Sequence, residues 1–344
     1  MSNLSSILII YTGGTIGMKM DPVEGDLRPF DFSQISEAVP ELNKFAVNID
    51  SYTFTPLIDS SDVQPAFWQD LARLIVSRWD AYDGFVILHG TDTMAFSASA
   101  LSFMLGNLSK PVIFTGSQLP IGVPRTDGRE NLISSVEIAA ARDSKGGAMV
   151  PEVCIYFDSK LFRGNRTTKV SAEDFRAFSS PNLPPLAEAG INIRYAEDLI
   201  RREAPAGSSP VLYSELDTRV SILKIHPGIT PHIVRTILNG PETRAVILET
   251  YGSGNAPTQP WFLEAVTEAA RDKILVNVTQ CLSGNVDMSI YATGRAMEKA
   301  GVISGADSTT ESMLAKLFVL MGLSKDNEWV KKQLSTNLRG EITQ

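Results

Sequence analysis

The stretch Ile7-Leu8-Ile9-Ile10-Tyr11-Thr12-Gly13-Gly14-Thr15-Ile16-Gly17 joins an apolar run to a loop of glycine and threonine. A second stretch, Phe85-Val86-Ile87-Leu88-His89-Gly90-Thr91-Asp92-Thr93-Met94, repeats this arrangement. Each stretch is typical of a buried parallel strand whose carboxyl end opens into a loop. Ligands bind at that edge of open α/β sheets. The sequence therefore predicts a polar pocket there, with one threonine hydroxyl from each loop.

Apolar runs and helix-like segments alternate along most of the chain, which predicts an α/β fold with two doubly wound parallel-sheet domains of unequal size. Residues 179–210 interrupt the alternation with proline, glycine and serine, which favours a connector. We therefore expect an N-terminal α/β domain over residues 1–190 that carries both threonine loops, a linker over 191–215, and a C-terminal α/β domain over 216–344.

The apolar patterns also predict individual elements, in addition to the two strands above. Further strands are expected over Tyr52–Ile58, Pro111–Thr115, Val153–Phe157, Val220–Ile225, Ala245–Thr250 and Ile274–Val278. Helices are expected over Glu37–Phe45, Pro65–Trp79, Met94–Leu105, Arg129–Ala141, His232–Leu238, Pro260–Arg271, Thr310–Met321 and Glu328–Leu334. The polar stretch from Lys19 to Arg28 is expected to be a mobile loop.

Composition excludes several classes of protein. The net charge of −8 over 344 residues argues against a nucleic-acid partner, and no apolar run approaches the ~20 residues that span a bilayer. The start of the chain lacks the basic segment of a signal peptide, and two cysteines imply no disulfide framework, so we expect a cytoplasmic protein. Three histidines without a ligand cluster predict no metal site.

A threonine hydroxyl is a weak nucleophile that needs a base, and the base needs an orienting group. Lys169 follows the predicted strand Val153–Phe157 and is a candidate base, with Arg163 and Arg166 as neighbouring cations that would favour its neutral form. Asp92 could orient this lysine or bind a substrate ammonium. The alternatives are an exposed basic loop around Lys169 and a tight structural turn at Thr15. Spacing alone indicates a hydrolase or a transferase with a hydroxyl nucleophile.

Several motifs in one order give the chain a resemblance to the bacterial-type L-asparaginases, and most to their cytoplasmic type I branch. The motifs cover nearly the full length: YTGGTIGM (Tyr11–Met18), DSSD (Asp59–Asp62), DGFVILHGTDTM (Asp83–Met94), KPVIFTGSQ (Lys110–Gln118), RGNRTTK (Arg163–Lys169), SPNLPPL (Ser180–Leu186), YGSGNAP (Tyr251–Pro257) and TQCLSG (Thr279–Gly284).

The resemblance implies hydrolysis of L-asparagine to L-aspartate and ammonia without a cofactor. It implies that Thr15 attacks the side-chain amide and forms a β-acyl-enzyme, which water then hydrolyses. Thr91 would activate or position the water, and Lys169 would accept its proton. Asp92 would belong to this group and also receive the α-ammonium of the substrate.

The resemblance also implies substrate contacts and an assembly. Asp59 and Ser60 would hold the α-amino and α-carboxylate groups, and Thr91 would line the same pocket. The chain would form a homodimer or homotetramer whose active site is completed at the dimer interface by Asn255 of a neighbouring subunit.

Two departures from the family pattern stand out. Family members often carry a tyrosine in the loop after the first threonine, where it helps to activate the nucleophile, but Met18 to Phe30 contains none. Tyr291 is our candidate to replace it in this auxiliary role. Equally, Tyr291 could be a packed aromatic residue. Some type I relatives bind a second asparagine at an allosteric pocket; Thr168 and Cys281 match its threonine and cysteine, but Glu249 stands in place of its arginine. We therefore expect allosteric activation by asparagine to be weak or absent.

Two other functions fit parts of the pattern. One is an amidotransferase subunit that supplies ammonia for tRNA modification, although an acidic chain is a poor tRNA partner. The other is a binding protein for an amino acid that has lost catalysis, although such a protein needs no nucleophile and base.

Overall fold

A computed structural model describes residues 4–20, 27–29 and 39–343 of the chain. It divides into two compact units, Met1–Ser214 and Glu215–Gln344, which we describe separately. Both units have the α/β architecture that the alternation of apolar runs predicts.

The first unit contains a large sheet and several short strand pairs. Its strands are β1 (Ser5–Tyr11), β2 (Met18–Met20), β3 (Leu27–Pro29), β4 (Val47–Thr53), β5 (Gly84–Leu88), β6 (Leu105–Gly106), β7 (Val112–Thr115), β8 (Val153–Phe157), β9 (Lys160–Arg163), β10 (Thr168–Lys169), β11 (Phe178–Ser179), β12 (Ala187–Ala189), β13 (Ile193–Tyr195) and β14 (Val211–Leu212). The large sheet has the order β13-β12-β9-β8-β7-β5-β1-β4. Pairing is parallel from β4 to β8 and antiparallel from β8 to β13.

The parallel part of this sheet confirms the expected core of the first unit. Within the described residues, the α-helices of the first unit are α1 (Pro65–Ser77), α2 (Met94–Met104) and α3 (Gly128–Ala140). Ile7, Ile9 and Tyr11 point to the face where they join one buried apolar cluster with Leu132 and Val136 of α3. Because Leu8 and Ile10 between them are buried too, β1 is covered on both faces, as the unbroken apolar run predicts.

The second unit is built on a smaller parallel sheet with the order β15-β16-β17-β18. Its elements are β15 (Val220–Lys224), β16 (Ala245–Thr250), β17 (Ile274–Thr279), β18 (Ile303–Ser304), α4 (Pro231–Leu238), α5 (Pro260–Ala269), α6 (Ala292–Lys299), α7 (Thr310–Leu323) and α8 (Asn327–Leu334). One buried cluster joins the sheet to α4, α5 and α6, and another joins it to α7 and α8. This sheet is therefore covered by helices on two faces.

The segment predicted as a linker, residues 191–215, contains two short strands. Within it, β13 pairs with β12 at the edge of the large sheet, and β14 pairs with β6. These backbone hydrogen bonds group the segment with the first unit as far as Ser214. The pairing strands are only two or three residues long, so no apolar alternation marks them in the sequence.

Three local predictions need correction. The strand expected over Tyr52–Ile58 instead runs over Val47–Thr53, where its parallel register with β1 begins at Ser5↔Val47. Of the expected helix Glu37–Phe45, residues 37–38 lie outside the described residues and Pro40–Lys44 forms a 3-10 helix. In the expected loop Lys19–Arg28, β2 and β3 pair antiparallel, and residues 21–26 lie outside the described residues.

No helix in the described part of the chain is long and apolar enough to cross a membrane.

Candidate active site

The loops that follow β1, β4, β5 and β7 meet at the carboxyl edge of the large sheet. The backbone N–H of Thr12 donates to Leu88 O at 3.0 Å, and that of His89 donates to Thr115 O at 3.0 Å. The N–H of Ile58, after β4, donates to Thr12 O at 2.9 Å. Backbone hydrogen bonds therefore hold adjacent loops together. The two threonine loops lie at the same edge of the sheet, as the sequence predicts.

Glycines allow these loops to pack backbone against backbone. A Cβ atom at Gly14 would lie 2.5 Å from Gly90 N, and one at Gly90 would collide with Ser60 Oγ. Gly14 also has a φ of +90°, which side chains other than glycine rarely adopt. Thr15 and Thr91, which directly follow Gly14 and Gly90, are thus carried by backbones in direct contact.

Thr15 begins a short 3-10 helix, Thr15–Gly17, and is partly exposed, whereas Ile16 beside it is buried. The side chain of Ile16 joins the core cluster of the first unit. Anchoring of this neighbour fixes the turn while the threonine itself stays accessible to a ligand.

Lys169 bridges to the second threonine loop. Its Nζ donates to Thr91 Oγ1 at 2.8 Å and to Asp92 Oδ1 at 2.7 Å. The lysine side chain is 19% exposed and that of Asp92 is 63% exposed. Lys169 lies in β10, which pairs with β11, so a short antiparallel hairpin brings a residue 77 positions away to Asp92. The structure thus joins three of the four predicted catalytic residues by direct contacts.

Arg163 and Arg166 do not form the exposed basic loop that we considered as an alternative. Both are buried, and Arg163 forms an ion pair with Glu152 at 2.6 Å. Arg166 donates to Asn182 O at 3.0 Å. Glu152 balances the charge of Arg163, and both arginines are held in buried contacts. We infer that they stabilise the backbone that leads to Lys169.

Asp59 precedes a short 3-10 helix, Ser60–Asp62, and caps it. Its Oδ1 accepts from the N–H and from the hydroxyl of Ser61, both at 2.9 Å. The backbone N–H of Ser61, with its hydroxyl next, holds the pKa of the Asp59 carboxyl below its usual value. Asp59 is therefore an anion suited to an ammonium group.

His89 is buried and neutral. Its Nδ1 lies 2.7 Å from Gly90 O, so Nδ1 carries the proton and donates to that carbonyl. Nε2 then accepts from the hydroxyl of Ser97 at 3.0 Å, and this hydroxyl accepts from Trp68 Nε1 at 2.9 Å. Burial lowers the pKa of His89 to about 4. The ring orients the loop before Thr91 and does not act as a base.

Three more predicted residues belong to the second unit. Asn255 closes a tight turn through backbone hydrogen bonds with Tyr251 at 2.8 and 2.9 Å. Glu249 accepts from Thr310 Oγ1 at 2.7 Å and forms an ion pair with Lys224 at 3.3 Å. Tyr291 is exposed and precedes α6, so it is not the packed aromatic residue that we considered.

The remaining allosteric positions lie on different units. Cys281 is exposed and follows β17, and Thr168 lies beside Lys169 in β10. Within the described residues, no group of three or more histidine, cysteine, aspartate and glutamate side chains is arranged to hold a metal ion.

Sequence reasoning missed two polar residues near the candidate site, Thr93 and Ser97, and one buried amide in the second unit, Asn277. Thr93 donates to Ser60 O at 2.6 Å, and Ser97 carries the hydrogen-bond chain to His89. In the second unit, Asn277 is buried among apolar residues of β17 and donates to Gly254 O at 3.1 Å. A polar residue within an apolar strand was the one signal available for Asn277, since a buried amide needs hydrogen-bond partners.

Comparison with known proteins covers nearly the whole chain. Residues 6–201 match the family described as Asparaginase, N-terminal, and residues 219–334 match the Glutaminase/Asparaginase C-terminal domain. L-asparaginase 1 of Escherichia coli strain K12 is 47% identical over 345 residues, 98% of each chain. The 60 kDa lysophospholipase of Mus musculus is 44% identical over 98% of this chain, which spans 62% of that protein. The crystal structure of L-asparaginase I from Vibrio cholerae superposes with a TM-score of 0.89 at 42% identity, over 99% of this chain and 100% of that one.

Proposed function

The chain belongs to the asparaginase family, and from this premise we propose that it hydrolyses L-asparagine to L-aspartate and ammonia through a threonine-bound acyl-enzyme. The observation that carries the proposal is the contact of Lys169 Nζ with both Thr91 Oγ1 and Asp92 Oδ1. This arrangement provides a hydroxyl, an amine and a carboxylate at the loop whose Gly90 backbone contacts Gly14, the residue before Thr15.

In the first step, Thr15 Oγ1 attacks the side-chain amide carbon of asparagine. A tetrahedral intermediate forms, the proton of the Thr15 hydroxyl passes to the amide nitrogen, the C–N bond breaks, and ammonia leaves. Backbone N–H groups near Thr91 are suitable donors to the oxyanion, and loss of one such donor typically lowers kcat about 10²–10³-fold.

In the second step, water attacks the ester and regenerates the Thr15 hydroxyl. We assign Thr91 to position the water, Lys169 to accept the proton relayed by Thr91, and Asp92 to hold the lysine in place. These residues can act together only if the two threonine loops keep fixed positions relative to each other. The contact between the Gly14 and Gly90 backbones supports such fixed positions.

Asparagine is a small zwitterion, so its site must pair two charges. Asp59 and Asp92 are suited to the α-ammonium, and Ser60 with nearby N–H groups is suited to the α-carboxylate. We further propose that Asn255 of a second copy completes the site in a homodimer or homotetramer, and that Tyr291 is the candidate for the auxiliary role of the missing loop tyrosine.

The proposed reaction is tested by ammonia release from L-asparagine. We expect brisk release by the purified protein and a loss of more than about 10³-fold in Thr15→Val and Lys169→Met, as for other nucleophile and base substitutions. Thr230→Val, in the second unit, is the control and should keep wild-type activity. Circular dichroism shows whether each variant is folded.

Two other outcomes would redirect the assignment. Binding of asparagine by calorimetry without ammonia release would favour an amino-acid-binding protein. Ammonia release that appears only with charged tRNA present would favour the amidotransferase reading.

A further inference from the structure

Thr93 occupies the cap position before α2, but its hydroxyl does not cap that helix. Threonine is favoured at this position because its side-chain oxygen accepts a hydrogen bond from an N–H group of the first turn. Here Thr93 Oγ1 instead donates to the backbone carbonyl of Ser60 at 2.6 Å, across 33 positions of sequence. The hydroxyl therefore joins two loops of the candidate site.

Two other threonines in the chain show the ordinary arrangement. Thr230 accepts from the N–H of Ile233 before α4, and Thr309 accepts from the N–H of Ser312 before α7. The difference at Thr93 is therefore a property of its place beside Ser60, and not of threonine at a helix start in this protein.

The bond from Thr93 reaches Asp59 through a single peptide group. Ser60 C=O accepts from Thr93, and the N–H of the same peptide, that of Ser61, donates to Asp59 Oδ1 at 2.9 Å. A peptide group is planar, so fixing its carbonyl also fixes the direction of its N–H. Thr93 and Asp59 thus hold opposite ends of one rigid unit.

The space around this peptide is already restricted. A Cβ atom at Gly90 would collide with Ser60 Oγ, so Ser60 lies directly against the second threonine loop. Thr93 lies three residues after Gly90 and donates to the carbonyl of the same Ser60. One loop therefore contacts Ser60 both at its side chain and at its carbonyl.

We propose that Thr93 is a positioning residue that aligns the Asp59 carboxylate with the α-ammonium of the substrate, through the Ser60–Ser61 peptide. This inference rests on the proposed function, because Asp59 is a substrate ligand only if the chain binds an amino acid. It assigns to Thr93 an effect on substrate binding, not on the chemical step.

The test compares Thr93→Val, which keeps the shape of the side chain but loses the hydroxyl, with Thr93→Ser, which keeps the hydroxyl. For L-asparagine we expect Thr93→Val to raise KM about tenfold and to change kcat by less than about twofold, since loss of uniform binding affects KM alone. Thr93→Ser should stay within about twofold of wild type in both constants. Thr230→Val removes a true cap and should leave KM unchanged.

A second comparison asks whether Thr93 acts through Asp59. In an Asp59→Ala background, Thr93→Val should raise KM no further, because residues on one path have non-additive effects. Full additivity, or a fall in kcat without a change in KM, would overturn the proposal.

Calorimetry with L-aspartate separates this proposal from the proposed function. L-aspartate carries the same α-groups, and we expect its Kd to rise about tenfold in Thr93→Val, in parallel with KM. A wild type that releases ammonia and binds L-aspartate, beside a Thr93→Val variant with the same Kd, refutes only the role of Thr93. A wild type that neither releases ammonia nor binds L-aspartate refutes both.

Discussion

At the residue scale, His89 shows how burial can decide the part that a titratable group plays. A histidine next to a candidate nucleophile loop is a natural choice for a base. Here its ring is 1% exposed, packs against Phe67 and Phe114 at centroid distances of 5.8 Å, and uses both nitrogens in hydrogen bonds. A side chain held in this way serves the shape of the loop.

The burial of His89 predicts a pH dependence of stability. Its pKa is about 4 when folded and about 6.5 when unfolded, so between these pH values the unfolded chain binds more protons. The free energy of unfolding should therefore fall as the pH is lowered from about 6.5 to 4, by on the order of 3 kcal/mol from this group. Urea unfolding at several pH values measures this slope.

Two variants isolate the contribution of His89 to that slope. His89→Gln removes the titrating ring, so its stability should depend less on pH over this interval. Phe67→Leu disturbs the same packing but keeps the imidazole, so its slope should match that of wild type. An unchanged slope in His89→Gln would contradict the assignment.

Residue-level prediction from sequence succeeds where motif and chemistry coincide. Lys169 was expected near Thr91 because it comes after the strand Val153–Phe157, and the structure brings the two side chains to 2.8 Å. The antiparallel strand β9, which lies between β8 and Lys169, was not predicted. Thr93 and Ser97 could not be found, since their partners, Ser60 and Trp68, are distant in sequence and share no pattern with them. Hydrogen bonds of this kind depend on loop paths that no local periodicity specifies.

At the scale of elements, the loops are fitted to each other through glycines. Gly14→Ala would combine an unfavourable φ of +90° with a Cβ atom 2.5 Å from Gly90 N. Gly146 has a similar φ of +83° but open space around it. The φ penalty alone is about 1–2 kcal/mol, and a forced contact adds about 1–3 kcal/mol.

We therefore expect Gly14→Ala to destabilise the protein by about 1–3 kcal/mol more than Gly146→Ala, as measured by urea unfolding. Gly14→Ala should also lose most ammonia release, whereas Gly146→Ala should keep it. Equal losses of stability in the two variants would show that the loop contact is not tight.

Strands with long apolar runs were predicted correctly, and most strands without them were not. The buried strands β1, β5, β8 and β16 lie where their continuous apolar runs predict them. The predicted position of β4 was wrong because, of its residues, only Val47 and Ile49 pack against the core cluster, so the strand has no long apolar run. The short antiparallel strands β12 and β13 depend on pairing across the sheet edge and have no signal of their own.

At the scale of the whole molecule, we predict that Glu249 weakens activation by a second asparagine. The resemblance predicts an arginine at this position for effector binding, whereas the carboxylate of Glu249 is held here by Lys224 and Thr310. A second asparagine would present its own α-carboxylate to this group, and like charges repel.

We therefore expect a hyperbolic dependence of the initial rate on asparagine concentration, with a Hill coefficient of about 1. The measurement is ammonia release over a range of concentrations above and below KM. A sigmoidal curve that Thr168→Ala makes hyperbolic would contradict this prediction and indicate a working effector site.

The glycine contacts between the threonine loops also constrain how the pocket could be redesigned. A single substitution at Gly14 or Gly90 meets the neighbouring loop before it can alter the space offered to a ligand. Single substitutions at these glycines would therefore destabilise the protein before a second substitution could compensate for them. Libraries that vary residues of both loops together would be needed to accommodate a bulkier molecule. The same interlock makes the pocket a poor starting point for gradual changes of specificity.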